Sequence, residues 1–381
     1  MLHIKKYLFW LLLPLVVMSC SPASTPSNSG KSCKSYIPKY AQYFRIDYYS
    51  HYKKISIFNP WDNMQMNMEY FIATDSLGVS DSISSHGVIV PNAPKRIVCL
   101  SSPLVGLMKM LHLRDFIGGV SDPEYIYDSM VNAKIARGEI VNVGKSIQVN
   151  MERMIALKPE LIFASGWDQM SPDYKKMLQL RLKPVFMYDW QEIHPLGKAE
   201  WMIFIAAFYN REQEAQLLFS KIELRYEKLK NSAKDLEKPS VFNGSEYQGI
   251  WYSAGGQSYM SRLYQDAGGY YILKDNASQG SVNLDFEVML NKAINTDIWM
   301  YTSGLQKENV QMLYTEKYKH LKAVIKHQVY SYHKRVNELG ANDYFETGSW
   351  KPDVVLQDLI WIFHPEIREF EKPYYFSRLQ Y

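Results

Sequence analysis

From Pro94 to Pro365 the chain alternates short apolar runs with helical periods, and does so on both sides of one long helical stretch. Such alternation builds parallel sheets flanked by helices, so two halves of this kind predict two lobes. In the first half, residues 97–100, 116–120, 161–164 and 185–188 read as buried strands, and 104–113 and 151–157 as helices. A segment at 199–208 then precedes a helix that Asn210 can cap, with Ala215, Leu218, Ile222, Tyr226 and Leu229 on one apolar stripe reaching about Ala233. After Pro239 the alternation resumes with candidate strands at 241–242, 250–252, 297–301 and 328–332, and a helix at 354–363 that ends at His364 and Pro365.

The expected fold class is therefore α/β: two Rossmann-like lobes with parallel sheets, joined by one long helix. A chain of 381 residues, 47% hydrophobic and 22% charged, is long enough for two lobes with separate cores. The halves also echo each other. Asn150, Glu152 and Met154 open one helix, and Asp285, Glu287 and Met289 open another with the same spacing of cap, acid and methionine.

The amino terminus carries its own signal. His3, Lys5 and Lys6 precede an apolar run at 8–18 broken by Pro14, and Val17, Met18, Ser19 and Cys20 follow the pattern of a bacterial lipobox. The run is too short for a comfortable membrane span. The expectation is a lipoprotein signal peptide over 1–19, lipid attachment at Cys20, and a flexible tether over 20–35 rich in Ser, Pro, Asn and Gly. Cleavage would remove Lys5 and Lys6 and lower the net charge of +4 by two, so nucleic acid is excluded as a partner. Residues 36–93 read as an N-terminal β extension built on strands at 54–58 and 66–73, followed by a first lobe at 94–195, linker helices at 196–236 and a second lobe at 237–381. Cys33 falls in the tether and Cys99 in an apolar strand, which disfavours a disulfide between them. No zinc spacing, serine elbow or phosphate loop occurs.

The order of several short motifs resembles the substrate-binding proteins of ABC importers for ferric siderophores, haem and cobalamin. These are Pro94, Lys95, Arg96, Ile97 and Val98; Gly118 and Gly119; Val143 and Gly144; Asn150 and Glu152; Pro159, Glu160 and Leu161; Gly255, Gly256 and Ser258; Asp266, Ala267, Gly268 and Gly269; and His364, Pro365 and Glu366. The resemblance implies a non-catalytic, monomeric receptor whose joining helix is rigid and whose ligand cleft lies between the two lobes. Its partners would be the importer's membrane subunits, a metal-bearing small molecule, and the membrane through the lipid anchor, and its location would be the cell envelope, lipid-anchored and facing the periplasm. It needs no resident cofactor or metal, because Co or Fe would belong to the cargo. Glu152 and Glu287 would dock the importer, although a first-turn carboxylate also suits a helix dipole. Loops after the strands would hold the ligand, which makes Ser101, Ser102, Tyr125, Trp167, Trp190, Trp251, Tyr252 and Trp350 the candidate contacts. Few cations in those loops favour a corrinoid, then a ferric chelate; Tyr125, Tyr252 and His194 keep haem as an alternative, and an envelope hydrolase is the rival class.

Overall fold

The computed structural model describes residues 32–62, 64–75, 87–303, 315–367 and 371–380. The leader run, Cys20 and nearly all of the expected tether lie outside the described residues. Its last residues do not: β1 (Lys34–Tyr36) pairs with β2 (Phe44–Tyr48), and Cys33 N–H donates to the Tyr48 carbonyl. β3 (Tyr52–Phe58) and β4 (Met66–Ala73) continue the antiparallel run, and β5 (Val88–Val90) joins β4 in parallel. The extension is thus a five-stranded sheet, three strands more than the two expected.

The first lobe follows the sequence reading closely. β6 (Ile97–Cys99), β7 (Ile117–Val120), β8 (Val141–Asn142), β11 (Leu161–Ser165) and β12 (Pro184–Met187) form a parallel sheet in the order β12-β11-β6-β7-β8. A small hairpin of β9 (Gly144–Lys145) and β10 (Gln148–Val149) stands apart. Every residue of β6 and β12 is buried, which is why they read as continuous apolar runs instead of alternating ones.

Two helices lead out of this lobe. The first, Pro195–Ala207, is buried along its whole length, Lys198 and Glu200 included. The second, Glu212–Ala233, has 22 residues and at 1.5 Å per residue runs roughly 33 Å from one lobe to the other. Its buried apolar stripe is Ala215, Phe219, Ile222, Tyr226, Leu229 and Ala233, the expected one with Phe219 in place of Leu218. Asn210 is not its cap. With φ of 55° it makes the left-handed turn between the helices, and its side-chain amide donates to Asn92 Oδ1 at 2.8 Å.

The second lobe departs from the sequence reading in one respect. β13 (Ser240–Tyr247), β15 (Tyr270–Tyr271), β17 (Ile298–Tyr301) and β18 (Val329–Ser331) are parallel, but β14 (Ile250–Ala254), β16 (Ser281–Asp285) and β19 (Ser377–Arg378) join antiparallel. The cause is local. Gln248 and Gly249 both take positive φ, 53° and 80°, which is the two-residue turn that closes a hairpin. Nor are the cores separate: one buried cluster runs from the extension through both linker helices into the second lobe. A smaller cluster, including Val98, Ile162 and Phe186, covers the other face of the first sheet.

The extension is fastened to the linker by buried polar groups. The Glu200 carboxylate accepts hydrogen bonds from the Tyr36 hydroxyl and from the backbone N–H groups of Lys39, Tyr40 and Ala41, at 2.7 to 2.8 Å. Lys53, also buried, donates to the Ala207 carbonyl and to Glu212; burial pulls its pKa down while the glutamate opposes that pull. The Tyr70 hydroxyl donates to the Pro184 carbonyl and accepts from Phe186 N–H, so it satisfies the backbone of edge strand β12.

Candidate functional site

The carboxyl ends of the first-lobe strands meet the second lobe at the start of helix Pro195–Ala207. Lys198 lies there, 5% exposed, with its ammonium 4.3 Å from the ring centre of Tyr259 in the second lobe. Among the described residues it makes no ion pair with a carboxylate. A recess of about 10 Å³, room for one small group, is bordered by Lys198, Tyr259, Tyr344 and Ser349. Tyr344 stacks on Tyr332 at the carboxyl end of β18, with ring centres 4.7 Å apart and 8° between planes. Tyr332 at the end of β18, Tyr344 and Tyr259 therefore form one aromatic floor in the second lobe, against which the linker helix sets buried Lys198.

Beside this floor lies a polar recess of about 440 Å³ between the extension (Lys39, Tyr40), the linker (His194) and the second lobe (Ser258, Arg262, Lys274). Its volume suits a cofactor-sized molecule. Another recess, about 530 Å³, sits at the opposite ends of the second-lobe strands around Lys238, Asp297 and His364, away from the converging loops. His194 faces the first recess with little freedom. Its Nδ1 accepts from Leu196 N–H as a helix cap, and burial, helped by Arg262, lowers its pKa to about 4.

The predicted contacts sort by strand geometry. Ser101, in extended backbone before the Ser102–Met110 helix, and Ser102 are both half-buried at the end of β6. Tyr125 is 62% exposed on the turn Pro123–Tyr125 after β7. Trp167 follows β11 and is 55% exposed; Trp190 follows β12, half-buried, and its indole N–H donates to the Gly166 carbonyl. On β14, side chains alternate, so Trp251 and Tyr252 cannot share a face. Tyr252 is the outward one. Trp251 is fully buried, donates to the Asn243 carbonyl and packs 5.5 Å from Trp299, so its expected ligand contact is corrected to a core role. Trp350 is corrected likewise: it too is fully buried, and its indole N–H donates to the Pro103 carbonyl at 2.7 Å.

That Trp350 contact belongs to a seam between the lobes which the sequence did not reveal. Glu346, on helix Asp343–Thr347, accepts from Tyr127 and Asp128 N–H across it, and Asn337 donates to the Ile126 carbonyl. A Cβ on Gly106 would lie 2.0 Å from the Glu346 carbonyl oxygen, so only glycine lets the Ser102–Met110 helix approach so closely. Burial raises Glu346 to about 7, against the pull of its two backbone donors.

The matched acids sit on matched caps. Asn150 accepts from Arg153 N–H and Asp285 from Val288 N–H, each opening its helix, and Glu152 and Glu287 are exposed in the first turns. Lys198 and Glu346 were missed by sequence reasoning. For Lys198 a signal existed, one lysine inside an otherwise apolar helix; for Glu346 there was none. Among the described residues no group of three or more His, Cys, Asp or Glu side chains is placed to hold a metal, and no helix is long and apolar enough to cross a membrane.

Two α/β lobes joined by one helical rod, with a cofactor-sized recess where the extension and linker meet the second lobe, have the architecture of a solute receptor of the periplasmic-binding type. The chain belongs to the periplasmic binding protein family, which it matches over residues 97–336. It is 27% identical over 366 residues to an uncharacterized lipoprotein of Methanocaldococcus jannaschii, covering 90% of this chain and 85% of the relative. It is 25% identical over 254 residues to an uncharacterized ABC transporter substrate-binding lipoprotein of Bacillus subtilis, covering 66% of this chain and 76% of that one. Among solved structures, a periplasmic binding protein from Veillonella parvula superposes with a TM-score of 0.59 at 13% identity, over 82% of this chain and 98% of the other. The haem complex of Staphylococcus aureus IsdE superposes at 0.53 with 24% identity, over 71% and 98%. These likenesses show the fold, and the family makes the chain an extracytoplasmic solute-binding protein of the ABC-transporter type.

Proposed function

We propose that this protein captures a corrinoid, or failing that a ferric chelate, and delivers it to the membrane subunits of an ABC importer. The observation that carries the reading is a recess large enough for a cofactor, walled by the extension, the linker and the second lobe, beside the aromatic floor of Tyr259, Tyr332 and Tyr344. Exposed Trp167, half-buried Trp190 and outward Tyr252 supply rings for a bulky, partly apolar solute, while Ser101 and Ser102 supply hydroxyls. The loops that carry these rings are poor in cations, which suits a neutral corrinoid, whereas Lys39, Arg262 and Lys274 on the recess favour the ferric chelate as the alternative. The lipid anchor at Cys20 and a monomeric state belong to the same reading.

Haem is the second reading, favoured by His333. This ring follows β18 with Nδ1 2.7 Å from Ser331 Oγ, which leaves Nε2 as its other polar atom, and burial lowers its pKa to about 4, so it is neutral and fit to ligate iron. Calorimetric titration of the purified chain with cyanocobalamin, ferrioxamine B and haemin distinguishes these cases. Saturable one-to-one binding of cyanocobalamin is expected; binding of none of the three sinks the proposal.

A further inference from the structure

The extension that precedes the first lobe reaches the ligand loops. The turn between β3 and β4 carries Trp61, and its backbone is tied by Asn59 N–H to the Gln65 carbonyl, Gln65 N–H to the Asp62 carbonyl, and Trp61 N–H to Asn59 Oδ1. From this turn the indole meets Tyr188 edge-on, ring centres 5.6 Å apart at 86°, and lies 5.7 Å from Trp190. Trp190 is in turn 4.8 Å from Trp167. Three tryptophans from three distant segments thus form one chain of rings at the carboxyl edge of the first-lobe sheet.

Packing alone does not account for this group. Trp201, Trp251, Trp299 and Trp350 are fully buried, whereas Trp61 remains 38% and Trp167 55% exposed. The turn is also held more firmly than a loose loop requires. Tyr70 on β4 bonds the backbone of β12, Asn67 bonds the Tyr188 hydroxyl, and Glu200 clamps the start of the extension. Gly166 completes the arrangement: a Cβ there would lie 2.1 Å from the Tyr188 ring, so glycine is required for Tyr188 to pass beneath β11's end. A small recess of about 60 Å³ opens beside the rings, flanked by Asn59, Asn67, Asp168 and Tyr188. Rigid rings with separate polar groups at their edge are what a flat, partly apolar molecule with polar substituents needs.

We infer that Trp61, Trp190 and Trp167, whose neighbouring planes are tilted by 49° and 44°, form an aromatic wall against which a macrocycle of the tetrapyrrole or corrin class packs, and that the N-terminal extension is part of the ligand site. The inference rests on the receptor reading above and adds to it a wall supplied from outside the two lobes. Offset stacking on such rings contributes beyond buried area, so loss of one indole is read as a loss of affinity.

The test uses the full chain in detergent, with Trp61→Ala and Trp61→Phe variants checked for unchanged circular dichroism and melting temperature. Cyanocobalamin, haemin and the non-planar ferric hydroxamate ferrioxamine B are titrated by calorimetry. The inference expects Trp61→Ala to weaken a tetrapyrrole or corrin probe about tenfold, with Trp61→Phe within about threefold of the parent. Equal affinity in all three proteins overturns it and assigns the cluster a packing role. Wild-type binding of ferrioxamine B alone also overturns it, yet leaves the receptor reading intact. Binding of no probe at all removes both. If Trp61→Ala does not fold, Trp61→Leu replaces it: a loss of about tenfold for cyanocobalamin or haemin supports the inference, and affinity equal to the parent's overturns it.

Discussion

The Glu346 carboxylate accepts the Tyr127 N–H at 2.6 Å, and through that bond helix Asp343–Thr347 of one lobe is held to the turn that precedes Ser129–Ala136 in the other. The same oxygen accepts from Asp128, while Oε1 is buried with no partner among the described residues. The seam and the rod together leave the halves little room to swing.

Protonation of this group sets the first expectation. Burial raises its folded pKa to about 7, above an unfolded value of ~4.3, so between those values the folded state binds the extra proton. Its contribution is therefore full at low pH and declines as pH rises toward 7, on the order of 3 kcal/mol in total. Glu192, raised to about 7, and Asp358, raised to about 6, act in the same direction. Histidines 194 and 333, lowered to about 4, act oppositely: their contribution is lost as pH falls from about 6.5 to 4. Glu346→Gln is expected to raise the melting temperature at pH 8 relative to wild type, with the gap closing toward pH 4.5. A gap independent of pH contradicts this assignment.

Removing the clamp on the extension should be costly. Glu200→Ala leaves backbone donors at Lys39, Tyr40 and Ala41 without their acceptor, at about 1–3 kcal/mol for each that stays buried. Urea denaturation is expected to show a loss of about 2–4 kcal/mol, with early proteolysis before residue 94. Unchanged protection of the extension would show that β3 and β4 hold it unaided.

Neighbouring residues on β14 should behave differently. Trp251→Ala opens a cavity in the second-lobe core and is expected to destabilise the fold by about 3–5 kcal/mol. Tyr252→Ala should leave the melting temperature within about 2 °C and weaken ligand instead. The reverse pattern, read by calorimetry and thermal melting, would place the cleft on the other face of that strand.

Charge reversal at the two matched acids, Glu152→Lys with Glu287→Lys, is expected to abolish uptake in cells while calorimetry shows ligand affinity unchanged. Both side chains are exposed, so stability should hold. Normal uptake by the double variant removes the docking assignment, since surface charge there would then serve only the helix ends.

Lobe closure on ligand should be small. One 22-residue helix and the Glu346 seam connect the halves, and neither is a flexible strand. Small-angle scattering with and without saturating ligand is expected to give nearly the same radius of gyration, and a contraction of several ångströms would contradict the rod.

Much of this fold could be read from residue order. Short apolar runs such as 97–100 and 161–164 became parallel strands because burial on both faces removes the polar alternation that other strands show. The stripe from Ala215 to Ala233 became the rod because one face of it is covered along its length. The antiparallel arm of the second lobe was not legible, since Gln248 and Gly249 announce a turn only once their positive φ is known. Trp251 and Tyr252 looked alike as strand-end aromatics, and only the register of β14 against β16 assigned one inward and one outward.

Periodicity and composition by themselves determined two α/β halves, a connecting helix and an aromatic-rich set of loops, because local spacing dictates which side chains each element must bury. The tertiary structure decided which of those aromatics stay open, that Lys198 and Glu346 lie buried where the lobes meet, and that Trp61 stands beside Trp190. Residues more than a hundred positions apart become neighbours only when sheets and helices pack. No local pattern records that encounter, since its energy comes from surfaces that meet only in the folded chain.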